Sequence, residues 1–213
     1  MRGGRALSLD EMIDKCLTAV ENEECRKYLE NRTDYRFCFG GGTGEKIPYF
    51  IMNKNAKSSG LMFAYSDIVE MTNLDFSNIE DGDRTFGDCW SLKKVSINTS
   101  KMKNVSGLFN GCRKLVDAGI LDFGNVLIDE IERTNSCFRN CVALVKVRFV
   151  TQSIKRSLSF ADSPLLSAES VQSIIDGLAM VTTAQTITFH KNIALTDAQK
   201  QTINEKGWTL VQA

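Results

Sequence analysis

One seven-residue pattern recurs through most of this 213-residue chain. Phe86-Gly87-Asp88-Cys89-Trp90-Ser91-Leu92 is followed by Phe109-Asn110-Gly111-Cys112-Arg113-Lys114-Leu115 and by Phe138-Arg139-Asn140-Cys141-Val142-Ala143-Leu144. Looser copies are Phe63-Ala64-Tyr65-Ser66-Asp67-Ile68-Val69 and Phe160-Ala161-Asp162-Ser163-Pro164-Leu165-Leu166, and a fainter one begins at Phe39. From Phe63 onward the phenylalanines are spaced 23, 23, 29 and 22 residues apart. A period of this size belongs to stacked arrays, in which each unit packs only on its neighbours.

A short alternating stretch follows most copies. Leu92-Lys93-Lys94-Val95-Ser96-Ile97 and Leu144-Val145-Lys146-Val147-Arg148-Phe149 are the regular cases. Leu74-Asp75-Phe76, Ile120-Leu121-Asp122-Phe123 and Thr186-Ile187-Thr188-Phe189 are the shorter or shifted ones. Alternation with β-branched and aromatic residues predicts half-buried strands. Asn, Ser and Thr then mark turns, as at Ser77-Asn78, Asn98-Thr99-Ser100 and Thr151-Gln152-Ser153, because their side chains bond nearby backbone. One strand and one turn cannot bury an apolar face alone. Stacked copies can, and each buried Phe or Leu stabilises by about 1.5–3 kcal/mol.

The ends read as caps. Ser8-Leu9-Asp10-Glu11 fits a capping box, and Met12, Ile13, Cys16, Leu17 and Val20 share one helical face. A second helical segment is expected over 21–30. Near the C-terminus a helix is expected from about Ala168 to Ala179 after Ser167. Thr196-Asp197-Ala198-Gln199 opens another, Gly207 ends it, and Trp208-Thr209-Leu210-Val211 forms a last strand. The expected organisation is a helical N-terminal cap over 1–38, a stacked region over 39–166 and a capping unit over 167–213.

Charge narrows the function classes. Lys and Arg number 26, as do Asp and Glu, so bulk charge does not draw the chain to nucleic acid or anionic membrane. No apolar run reaches the roughly 18 residues of a membrane span. Acidic residues interrupt the start of the chain, so no secretory signal is read, and a cytoplasmic or virion-associated location is expected. The cysteines number seven, an odd count for a disulfide framework.

These motifs resemble the BspA-like leucine-rich repeat proteins of bacteria and their phages. The likeness rests on Phe109 to Leu115, on Asn98-Thr99-Ser100, and on the closing stretch from Val150 through Gly207-Trp208-Thr209-Leu210. It covers about Phe39 to Val211. It implies an α/β solenoid with one short parallel sheet of about five to six irregular repeats, a helical N-terminal cap and a helix–strand C-terminal cap. It also implies a non-enzymatic scaffold, phage-encoded or bacterial in origin, that recognises a protein or a surface glycan. The other function carried forward is an intracellular inhibitor that blocks a host enzyme or defence complex.

Candidate chemistry is sparse. Cys89, Cys112 and Cys141 share one phase and read as small buried hydrophobes, not as a metal or redox site. Gly40-Gly41-Gly42-Thr43-Gly44-Glu45-Lys46 lacks the Gly-Lys-Ser/Thr ending of a phosphate loop and reads as a turn. His190 is the single histidine and has no nucleophile tied to it. No catalytic residue, metal ligand or cofactor is assigned. The strand face is the place expected to bind. Outward positions are read as Asn73 and Asp75, Lys94 and Ser96, Ile120 and Asp122, Lys146 and Arg148, and Thr186 and Thr188. Of these, Lys94, Ser96, Asp122, Lys146, Arg148 and Thr188 form the candidate partner-binding strip. Cross-strand pairs such as Asp122–Arg148 would make it a solvated face. Lys94, Lys146 and Arg148 as anchors for an acidic partner would make it a site.

Overall fold

A computed structural model describes residues 20–47, 49–127 and 137–213. The expected capping box at Ser8 and the helical face from Met12 to Leu17 lie outside the described residues, as does the segment 128–136 that precedes Phe138.

The fold is α/β, with two small parallel sheets and three helices among the described residues. In chain order the elements are α1 (Glu23–Asn31), β1 (Glu70–Met71), β2 (Lys94–Val95), β3 (Asp117–Leu121), β4 (Lys146–Phe149), β5 (Leu158–Phe160), α2 (Ala168–Gly177), β6 (Gln185–Phe189), α3 (Asp197–Glu205) and β7 (Trp208–Gln212). Strands β1 to β4 form one sheet in sequence order, and β5 to β7 form the other. Every strand pairing is parallel.

The phenylalanines stack. Ring centroids of Phe39, Phe63, Phe86, Phe109 and Phe138 follow one another at 5.3, 5.6, 5.8 and 5.6 Å. Phe160 and Phe189 continue the column at 4.7 and 6.2 Å. The first two pairs are nearly coplanar, at 4° and 3°. All seven rings named are buried. Each aromatic contact adds about 0.5–1.5 kcal/mol beyond its buried area.

The backbone beside the rings runs from segment to segment. Leu61, Phe63 and Tyr65 donate N–H bonds to Asp83, Thr85 and Gly87, and Arg84, Phe86 and Asp88 donate to Ser106, Leu108 and Asn110, all at 2.6–3.1 Å. Left-handed φ values of 57°, 62°, 48° and 55° at Leu61, Tyr65, Arg84 and Asp88 turn alternate amides to one side. Gly111 fills the matching position with φ 79°, and a Cβ there would collide with the Asp88 carboxylate.

Two strands sit earlier than the alternation predicts. In the first segment Ile68, not Val69, takes the fully buried place that Leu92 takes in the next. The strand is therefore Glu70–Met71, and Leu74-Asp75-Phe76 belongs to the turn beyond it. The strand thus lies four residues before Leu74-Asp75-Phe76, so Glu70 holds the outward strand position, while Asn73 and Asp75 are exposed beyond the strand. In the third segment the strand is Asp117–Leu121 instead of Ile120–Phe123. Gly119, with φ 73°, is inserted there as a bulge between the register pairs Asp117↔Lys146 and Ile120↔Arg148.

The sheet edge at β4 is closed by a helix. Ser170 and Ser173 lie one turn apart on α2, and their hydroxyls accept the N–H groups of Val147 and Phe149 at 3.1 and 3.0 Å. They occupy the place of a fifth strand, which removes an edge open to pairing. Ser167 caps α2 through the Ser170 N–H, and the Thr196–Gln199 capping box of α3 forms in full. At the far end of α2, Lys206 Nζ donates to the carbonyls of Ile175 and Leu178 at 2.8 and 2.7 Å. Helix α1 begins at Asn22, whose side chain accepts from Glu24 and Cys25 N–H.

Two stability outcomes follow from these contacts. Phe109→Ala, which empties the middle of the ring column, should cost about 3–5 kcal/mol in urea denaturation; an unchanged midpoint would deny the column its structural weight. Ser170→Ala with Ser173→Ala should cost about 1–3 kcal/mol for each amide left without an acceptor, and no loss would mean that water serves β4 equally well.

Candidate functional site

The outward row of the four-stranded sheet carries charge of alternating sign. Register pairs Glu70 with Lys94, Lys94 with Asp117, and Asp117 with Lys146. The intervening positions Met71, Val95, Ala118 and Val147 are all fully buried. Strand pleat alone produces this division, because successive side chains leave opposite faces. Glu70, Lys94 and Lys146 are exposed and Asp117 is half-buried.

These four charges make no ion pair with one another or with any other described residue. The contrast is at another row of the same segments. There Glu80 receives Lys57 at 3.1 Å and Lys103 at 2.6 Å. The hydrogen bond from Lys103 holds the Glu80 carboxyl below its ordinary range, with Lys57 adding to the effect. Ser58, Asp81 and Asn104 bond in the same manner, at 3.0 and 2.8 Å. Neighbouring segments thus do pair their polar side chains where the geometry is closed. On the sheet face they do not.

A cleft of about 140 Å³ sits where this row meets α2. It is lined by Asp117, Lys146, Arg148, Glu169 and Ser170. Asp117 spends one oxygen on the Gly119 N–H at 2.9 Å, holding the bulge. Arg148 is exposed and lies in register with Ile120, whose side chain is 55% exposed. Arg is among the residue types enriched at the energetic centre of protein interfaces.

The structure places the strip expected from sequence as follows. Lys94, Lys146 and Arg148 lie on the sheet face, and Ser96 follows β2, exposed, with its N–H given to Met71 O at 2.7 Å. Asp122 does not join them. It is half-buried below β3, where its Oδ1 accepts from Gly124 and its backbone exchanges bonds with the Thr99 hydroxyl. The expected Asp122–Arg148 pair is therefore absent, because β3 starts with Asp117 in register with Lys146, which leaves Ile120 opposite Arg148 and Asp122 two residues beyond it. Thr188 is also elsewhere: it pairs with Ser159 and Val211 in the second sheet. Glu70, Asp117 and Glu169 were missed. Glu70 and Asp117 needed the register, which a one-residue difference in the first segment and the bulge in the third concealed.

A second surface feature also escaped notice. Phe37, Leu61 and Tyr65 wall an open apolar depression of about 410 Å³, floored by Gly40, Gly41 and Ala64. The rings of Phe37 and Tyr65 are 60% and 62% exposed. The glycine run has structural duties: Gly41 N–H bonds Ala64 O, and Gly42 and Glu45 carbonyls accept from Asp67 and Val69. His190 serves its own turn, with Nδ1 accepting from the Asn192 N–H at 3.0 Å.

The cysteines form an interior column. Cys89, Cys112 and Cys141 Sγ donate to the carbonyls of Phe63, Phe86 and Phe109 at 2.9, 3.0 and 3.1 Å. Ser66 and Ser163 hold the same phase at either end, and Ser163 Oγ donates to Cys141 O. Burial pushes the Cys89 thiol up to about 12 and raises Cys112, Cys137 and Cys141 well above their ordinary value. A thiol so protonated is a poor nucleophile and a poor ligand. No group of three or more potential metal ligands occurs among the described residues, and none of their helices is long and apolar enough to cross a membrane. Compared with known proteins, the chain matches no family model, no curated protein and no solved structure.

The thiol column sets a pH dependence. Unfolded cysteines ionise near pH 8.5–9, whereas the buried ones stay protonated. Above the unfolded value the unfolded chain binds fewer protons than the folded one, so stability falls as pH rises. Stability should be level below pH about 8 and decline from there toward about 12. In the native state at neutral pH, Cys89, Cys112, Cys137 and Cys141 should resist a thiol reagent until the protein unfolds; rapid labelling of any of them would contradict the buried column.

Proposed function

We propose that the chain is a leucine-rich repeat solenoid of the BspA-like kind and works as a non-enzymatic module, binding a protein partner on the exposed face of β1 to β4. One observation carries this: the row Glu70, Lys94, Asp117 and Lys146 is in register across four strands yet unpaired, while the Lys57–Glu80–Lys103 row of the same segments is closed by ion pairs. The ring column, with its contacts passing from segment to segment, supports the solenoid assignment. Full charges of both signs suit the side chains of a protein better than the neutral hydroxyls of a glycan. Arg148 beside Ile120 adds a contact that gains from exclusion of water. Buried, protonated thiols leave the described cysteines without the reactivity an enzyme would need.

The reading is tested by affinity capture from bacterial lysate and, separately, from cell-envelope extract. Lys94→Glu with Lys146→Glu is the control. A protein captured stoichiometrically by the native chain should be lost in the variant, while the melting temperature stays within about 2 °C because both side chains are exposed. If that protein is a cytosolic enzyme, the module acts as an inhibitor. Equal capture by both forms would move the site off this face.

A further inference from the structure

We infer that the partner element received by this face is an α-helix lying across the strands, with one charged residue per turn and the sign reversing at each turn. This rests on the sheet-face reading above and goes further by stating the partner's shape and charge order. The inference begins from spacing. Neighbouring strands lie about 4.8 Å apart, so Glu70, Lys94, Asp117 and Lys146 present minus, plus, minus, plus at that interval along a line perpendicular to the strands. A helix returns a side chain to the same face about every 5.4 Å. Over three steps the two rulers diverge by about 2 Å, which long Lys and Glu side chains absorb. An extended peptide returns to one face about every 6.7 Å and diverges by about 6 Å over the same three steps. The helix therefore fits the row, and the extended chain loses register before the fourth charge.

The charge state supports the same occupant. Within the row no ion pair is formed among the described residues, so Glu70, Lys94 and Lys146 are open to a partner, and Asp117, whose Oδ1 accepts from the Gly119 N–H, keeps its second oxygen for one. An acidic surface would be repelled by Glu70 and Asp117, and a basic one by Lys94 and Lys146. Only an element that alternates plus, minus, plus, minus satisfies all four. Such order is native to a helix with oppositely charged residues at i and i+4 spacing, which also stabilises the helix when free. Like charges placed opposite one another exclude helices of the wrong order, and that is where discrimination arises.

The probe is a synthetic alanine-rich helical peptide bearing Lys, Glu, Lys and Glu on successive turns. One comparison peptide has the same composition in the order Lys, Lys, Glu, Glu. Another keeps the alternating order but has two internal Ala→Pro changes, which remove the helix. Binding is read by fluorescence anisotropy at low ionic strength, where screening is weakest. The alternating helix should bind about tenfold more tightly than either comparison peptide, since each exposed pair contributes modestly. In the variant Lys94→Glu with Asp117→Lys the row reads minus, minus, plus, plus, and the preference should pass to the Lys, Lys, Glu, Glu peptide. Equal affinity for the two helices, tighter binding of the proline-broken peptide, or binding of none of them would overturn the helix. If the helix falls while Lys94→Glu with Lys146→Glu still abolishes capture of a natural partner, the face remains the site and only the shape of its ligand is wrong. If capture is unaffected too, both readings fail.

Discussion

Ring-on-ring packing of phenylalanine along the chain is the contact on which the other arrangements rest. A Phe in one segment stacks on the rings of the segments before and after it, as Phe86 does on Phe63 and Phe109, with Phe76 tilted against it. No single segment is stable without those neighbours. The cysteine column follows from the ring column: three residues past each ring, the thiol is brought under the carbonyl of the previous ring's residue, as Cys112 is under Phe86. The left-handed residues flanking each ring then turn the amides toward the next segment. Because the donors all run one way, both ends of the column need something other than another ring segment. The four-stranded sheet needs the same at its edge, where the serines of α2 take over the amides of β4.

Much of this was legible before any coordinates. The ring spacing, the buried thiol phase, the Ser167 and Thr196 caps and the strands at Lys146 and Gln185 all follow from residue type and position. What the sequence hid was register. The pattern at Phe63 offers both Ile68 and Val69 for one apolar position, and alternation cannot choose between them. The structure takes Ile68, which makes Glu70 an outward residue. Likewise the third strand begins at Asp117, three residues ahead of the alternating stretch, and Gly119 inserts a bulge within it, so Ile120 and not Asp122 stands opposite Arg148. For this reason the Lys and Arg members of the candidate strip lie on the face with Ser96 beside it, and Asp122 does not. Thr188 failed for a different cause, since nothing in local alternation says which of two sheets a strand enters.

In the proposed reading, folding and recognition use alternate residues of the same strands. The inward positions Met71, Val95, Ala118 and Val147 are apolar and fully buried, while the outward ones carry four full charges. Exchanging an inward residue disturbs packing on two neighbouring segments. Exchanging an outward one changes only what the face presents, because Glu70, Lys94 and Lys146 are not held in any ion pair. The paired row at Lys57, Glu80 and Lys103 shows the opposite state, in which the charges are spent within the molecule. An exposed ion pair contributes little to stability in either state. Leaving the sheet-face charges unpaired therefore costs the fold almost nothing, and it leaves the full set available to a complementary surface. A face with these properties changes its partner by substitution at outward positions alone, and the ring column beneath it stays as it is.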